Sequence, residues 1–228
     1  MEKNSNKKET EDKKEASHSS ITNIIILMVS IIAVLGLILI GLKIFSPPSL
    51  DEIKQDIIEQ GETEHGYLYN GFVFIYKDGL WHTEWQNGEF IYNLHFHYGP
   101  RDVEDVPIIG GLSPDVDTSQ FYLTFEPTDD NVSLIAVASS ELGLNLVKAL
   151  NTKIKPACAS NETIACSDRP IITCNNTDEA VIFVKRDDET KVTLDGNCMI
   201  IQGERDQLFR SVDKVLFNLY HVIEYERS

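Results

Sequence analysis

His82, His95 and Glu84 are the residues whose types and spacing could do chemistry. They lie in a stretch that alternates aromatic and polar residues, so a strand pairing that buries the aromatics puts all three on the opposite face. Asn93 and His97 belong to that face as well. Two imidazoles and a carboxylate are a usable ligand set for zinc, nickel or iron. A divalent metal is thus the one cofactor these residues could take, and none is required. The plainer reading is the wet side of an antiparallel sheet, which is rich in such residues. The sequence favours it, because no ligand spacing beyond the pair points to a metal.

The remaining candidates are weaker. Asp115 and Asp117, with Glu126, Asp129 and Asp130, could offer oxygens to calcium, but their spacing matches no EF-hand loop and reads as a solvated acidic rim. There is no G-x-S-x-G, H-E-x-x-H, P-loop or G-x-G-x-x-G. These absences lean against an enzyme. Cys158, Cys166, Cys174 and Cys198 are spaced too widely for a zinc knuckle, and an even count reads as two disulfides of an oxidising compartment. Four cysteines allow three connectivities. The short loop from Cys158 to Cys166 is easily closed, which leaves Cys174 for Cys198. Sequons at Asn131, Asn161 and Asn175 are compatible with N-glycosylation in such a compartment.

The elements that must position the histidines form an aromatic meander. Strands are expected at Phe72–Lys77, Leu80–Gln86 and Glu89–Tyr98, with Asp78-Gly79 and Asn87-Gly88 as two-residue turns. In that register Tyr76 faces Trp81, Phe74 faces Thr83 and Phe72 faces Trp85. Across the second turn Trp85 faces Phe90, Thr83 faces Tyr92, Trp81 faces Leu94 and His82 faces Asn93, with His95 diagonal to His82. One face then gathers nearly every aromatic, and a one-residue slip would scatter them.

Other elements follow from periodicity. Leu50, Ile53, Ile57 and Ile58 form a helical stripe over 49–60, with Ser49 and Glu52 at capping-box spacing. Residues 99–118 read as a long loop and Gln120–Phe125 as a strand. Leu134–Leu150 reads as a helix, with a short strand to Ala138 and then a helix as the alternative, and 156–178 as a cysteine-rich loop. Ala180–Lys185 and Lys191–Ile201 read as a hairpin. Leu208, Val212, Val215, Leu216, Leu219 and Ile223 make a final helix, with Asp206 and Arg210 as an i,i+4 pair on its polar side. The expected class is α+β.

A different kind of signal lies upstream. Ile24–Leu42 is an apolar run of 19 residues broken only by Ser30. As a helix it spans about 29 Å, the thickness of a hydrocarbon core. It is longer than a signal-peptide core and no cleavage pattern follows it, so an uncleaved single-pass anchor is expected. Lys3, Lys7, Lys8, Lys13 and Lys14 precede it, against Lys43 and Lys54 after it. That asymmetry places the N-terminus in the cytoplasm and residues from 46 onward outside. The organisation expected is a disordered cytoplasmic tail over 1–20, an anchor over 21–45, a juxtamembrane helix and linker over 46–64, and an outer domain over 65–228 with a subdivision point near 127. The chain has 36 acidic and 20 basic residues, of which 5 and 6 lie before residue 44. The outer part therefore carries 31 against 14, a formal −17. Such a surface repels nucleic acid.

Four strings, Phe72-Val-Phe-Ile-Tyr-Lys-Asp-Gly-Leu-Trp81, His97-Tyr-Gly-Pro-Arg-Asp102, Arg169-Pro-Ile-Ile-Thr-Cys174 and Leu194-Asp-Gly-Asn-Cys198, resemble segments of uncharacterised archaeal single-pass membrane proteins. The resemblance implies a cysteine-containing outer domain and brings no activity or site residue. The function expected from the sequence is a membrane-anchored extracytoplasmic interaction or structural module, with the lipid bilayer and a surface protein as partners. The alternative is a metal-binding protein, or metal-dependent surface enzyme, using the His82/His95 face.

Overall fold

The computed structural model describes residues 26–43, 48–148 and 150–223. The predicted tail over 1–20, the first residues of the anchor and the last five of the chain lie outside them. The chain divides into two units, Met1–Ser49 and Leu50–Ser228. In the first, helix α1 (Ile26–Lys43) is long and apolar enough to cross a membrane. Its Ser30 hydroxyl donates to the Leu27 carbonyl at 2.7 Å, so the one side-chain polar group of the run is satisfied within the helix.

The second unit is α+β. Helix α2 (Leu50–Gln60) leads into a five-stranded antiparallel sheet in chain order: β1 (Glu62–Thr63), β2 (Gly66–Tyr69), β3 (Phe72–Lys77), β4 (Leu80–Asn87) and β5 (Phe90–Phe96). Two strands and the Asn70-Gly71 turn stand ahead of the three expected. At both Asn70-Gly71 and Asp78-Gly79 the two turn residues have positive φ, the type I′ geometry that matches strand twist. The third turn differs from expectation. Only Gly88 has positive φ there, Asn87 stays in the strand, and the loop is Gly88-Glu89. A glycine at the first central position makes the II′ turn, and the register moves by two residues. Trp85 faces Tyr92, Thr83 faces Leu94, Trp81 faces Phe96 and His82 faces His95. Because the shift is two, each side chain keeps its face.

The β3–β4 pairing is shorter than expected. It runs only from Lys77↔Leu80 to Ile75↔His82, so Phe72↔Trp85 and Phe74↔Thr83 do not form. Beyond that point β3 continues with β2, and β4 continues with β5. The hairpin tip also projects past the core: Phe90 is 69% and Ile91 62% exposed.

A second, mixed sheet has the order β6-β10-β11-β9-β7-β8. Its strands are β6 (Ile108–Leu112), β7 (Gln120–Phe125), β8 (Lys153–Pro156), β9 (Val181–Lys185), β10 (Lys191–Gly196) and β11 (Cys198–Gln202). The predicted loop over 99–118 therefore contains an edge strand, β6, preceded by a 3-10 turn at Pro100–Val103. The predicted 180–201 hairpin is corrected as well. The second arm breaks at Gly196-Asn197 into β10 and β11, and β11 inserts beside β9 in parallel. Helix α3 (Val132–Lys148) links the parallel pair β7 and β8. Helix α4 (Gln207–Leu219) ends four residues before the predicted Ile223, where Tyr220 caps it and His221 turns to positive φ. Its Arg210 does not pair with Asp206. It reaches the Asp102 carbonyl at 2.7 Å and the Asp105 carboxylate instead.

One core joins these layers. It takes Phe74, Leu94 and Phe96 from the first sheet, Ile182, Val192 and Ile201 from the second, and Ile135 and Leu142 from α3. Helix α4 is buried nearly all round between them, and Phe217 meets Phe96 at 4.4 Å and Phe74 at 5.6 Å between ring centroids. On the other face of the first sheet, Ile53 and Ile57 of α2 cover Ile75 and Val73. That face is therefore only partly wet.

Candidate functional site

The uncovered part of that face carries the predicted histidines. His82 and His95 are direct cross-strand partners, their rings edge to face with centroids 4.7 Å apart. His82 Nε2 lies 3.0 Å from the Lys77 carbonyl, an acceptor, so that nitrogen bears the proton and Nδ1 is left for other work. Burial, reinforced by His82, holds His95 below the ordinary imidazole range, so it is neutral at neutral pH. Glu84 shares the face but turns to α2, its Oε2 2.5 Å from Lys54 Nζ. Among the described residues no group of three His, Cys, Asp or Glu side chains is placed to hold a metal ion. The pair can supply two nitrogen ligands, with the other positions left to solvent or a bound molecule.

The same residues wall a groove of about 630 Å³. Leu50, Asp51 and Lys54 of α2 form one side, and His82, Thr83, Glu84, Asn93 and His95 the other. Gly71, Phe72 and Val73 also line it. The segment after α4 is tied to the sheet: Asn70 Nδ2 donates to the Val222 carbonyl at 2.9 Å, and Trp85 Nε1 to the Tyr220 carbonyl at 3.2 Å. Thr83 is only 6% exposed, and among the described residues its hydroxyl has no hydrogen-bond partner. A volume of this size with a mixed polar and apolar lining suits a small ligand.

His97 leaves this face at the end of β5. Its ring stacks on Phe209 at 4.0 Å, and its Nδ1 lies 3.0 Å from Glu141 Oε2, an ion-pair contact without hydrogen-bond alignment. Glu141 raises the His97 pKa. Behind them Asp213 of α4 is fully buried. Its Oδ2 accepts the Tyr98 amide at 2.8 Å, and among the described residues its Oδ1 has no hydrogen-bond partner. Burial, with the Glu141 charge behind it, pushes the Asp213 carboxyl well above the usual carboxylate range. Sequence periodicity could not find this trio, since it is drawn from the segment just after β5, from α3 and from α4. A second groove of about 700 Å³, between β5 and α3, is lined by His95, His97 and Glu141 with Val137, Leu144 and Lys148.

Three carboxylates of the predicted acidic rim accept hydrogen bonds from neighbouring hydroxyls or amides. Glu126 accepts from Ser160 and Thr128, Asp117 from the Ser119 amide and Asp129 from the Asn131 amide. The disulfides join Cys158 to Cys166 and Cys174 to Cys198. Asn161 and Asn175 are exposed, whereas Asn131 is half-buried where its carbonyl accepts the Leu134 and Ile135 amides at the start of α3. No protein-family model, curated protein or solved structure matches this chain.

Proposed function

We propose that the chain is a membrane-anchored binding module, with α1 in the bilayer, the tail in the cytoplasm and the α+β unit outside. The observation that carries the binding role is the groove of about 630 Å³ between α2 and the sheet, walled by the directly paired His82 and His95. Two disulfides and the exposed sequons at Asn161 and Asn175 favour an oxidising exterior. The lysine asymmetry favours the orientation. Protease added to intact cells removes a tag on the C-terminus and spares one on the N-terminus if this reading holds; protection of the C-terminal tag overturns it.

A second reading gives the His82/His95 pair a transition metal, favoured by their direct pairing across β4 and β5. A metal bound only by the native state must raise the melting temperature. Unchanged melting of the full chain in saturating zinc and nickel removes this reading.

A further inference from the structure

Among the described residues the two sheets end on four edge strands, β1, β5, β6 and β8, and three of these are blunted. Strand β1 is only two residues long. Strand β8 carries Lys153, Lys155 and Pro156, residue types that keep a foreign strand off an edge. Strand β6 is interrupted at Gly110, whose φ of +85° lies outside strand geometry. Strand β5 has none of these devices. It is seven residues long and holds no lysine, glycine or proline, and its Phe90 and Ile91 are exposed.

The hairpin register decides which groups β5 turns outward. The two-residue loop Gly88-Glu89 makes Asn87↔Phe90 a hydrogen-bonded pair, and Trp85↔Tyr92, Thr83↔Leu94 and Trp81↔Phe96 follow as bonded pairs. The residues between them, Ile91, Asn93 and His95, therefore point their amides and carbonyls away from β4. Among the described residues no backbone hydrogen bond from another segment reaches these three. On that side lies the groove of about 700 Å³ between β5 and α3. Along its far wall Val137, Ser140, Glu141, Leu144 and Lys148 recur at helical spacing. They cover about 16 Å of helix axis, the reach of about five extended residues. Val137 and Leu144 are exposed apolar side chains. Besides its histidines the lining holds one acidic and one basic residue, Glu141 and Lys148, so it suits an uncharged ligand. A second copy is the poorer occupant, because two units of formal charge −17 would have to meet edge to edge.

We propose that the outer edge of β5 takes an uncharged segment of another protein in extended form, which adds a sixth strand to the first sheet and covers Val137 and Leu144. Backbone pairing supplies the affinity, and the α3 wall supplies the preference for apolar side chains at alternate positions. This site goes beyond the binding role of the α2 groove, although Asn93 and His95 border both.

The test uses the full chain in lipid nanodiscs with the capped peptide acetyl-Thr-Val-Thr-Val-Thr-amide, and a copy N-methylated at every residue. At ten times its Kd the parent peptide should slow amide exchange of Ile91, Asn93 and His95 about tenfold, because only the unliganded fraction exchanges. It should shift the methyl resonances of Val137 and Leu144 and leave those of Leu50, in the α2 groove, unmoved. The N-methylated copy, which donates no ladder bond, should do neither. Asn93→Pro removes an outward donor that β4 does not use, a change an edge strand tolerates, and should weaken the peptide's Kd about three- to tenfold. If Asn93→Pro fails to fold, Leu144→Lys, at an exposed position, should weaken it as well. Equal protection by both peptides overturns the ladder. Shifts at Leu50 with Val137 and Leu144 unmoved overturn the site and return the ligand to the α2 groove. Protection of the three amides without peptide, rising with protein concentration, gives the edge to a second copy and overturns the proposal. No effect of the parent at millimolar concentration overturns it too. The membrane topology is then still judged by the protease result, so the two failures are separate.

Discussion

Phe217→Ala tests whether α4 binds the two sheets into one unit. The Phe217 side chain is fully buried, with Phe96 at 4.4 Å on one side and Phe74 edge-on at 5.6 Å. Truncating a buried phenylalanine costs about 3–5 kcal/mol, because transfer energy is lost and a cavity remains. The two ring contacts add roughly 0.5–1.5 kcal/mol each beyond area. They place this site in the upper half of that range, at about 4 kcal/mol. For a unit of this size the melting temperature should fall by about 8–16 °C. Phe217→Leu keeps most of the volume and should cost about 1–1.5 kcal/mol. The assay is thermal unfolding of the full chain in detergent, followed by near-ultraviolet circular dichroism of Trp81 and Trp85, which sit on the sheet that Phe217 supports. A fall of less than about 3 °C for the alanine variant, or equal losses for both, refutes the sandwiched ring.

Three further outcomes follow from particular residues. By the chain-entropy estimate, losing the Cys174–Cys198 disulfide, with its separation of 24 residues, should cost about 3.5 kcal/mol. Losing Cys158–Cys166, with a separation of 8, should cost about 2.6 kcal/mol, and denaturant melts of the paired alanine variants should rank in that order. Glu141 raises the His97 pKa, so the folded state holds that proton more tightly than the unfolded chain. The pair's contribution is full below the ordinary imidazole range and fades as pH rises through the raised folded value. A pH series of melts should show this slope in the parent and lose it in Glu141→Gln; an unchanged slope removes the assignment. Gly88→Ala, at φ +61, should cost about 1–2 kcal/mol, whereas Asn87→Ala should cost little. The opposite ranking would return the turn to Asn87-Gly88.

Much of this chain is legible from local pattern. The apolar run at 24–42, the stripe of α2, the strand at 120–125, the helix after Asn131 and the apolar periodicity of α4 are all set by near neighbours. The faces of the meander are too, because alternation survives any even shift of register. The disulfide pairing was likewise within reach of loop length. Tertiary structure decided the rest. The Gly88 turn was ambiguous because an Asn-Gly pair serves two turn types, and only closure of the β4–β5 hairpin chose between them. The placement of β11 between β9 and β10 depends on long-range parallel pairing, which no local spacing encodes. Asn70 and Trp85 are drawn to carbonyls of Val222 and Tyr220, more than 130 residues away in sequence. Those two bonds tie the first sheet to the segment after α4, a contact that no local pattern in the sequence encodes.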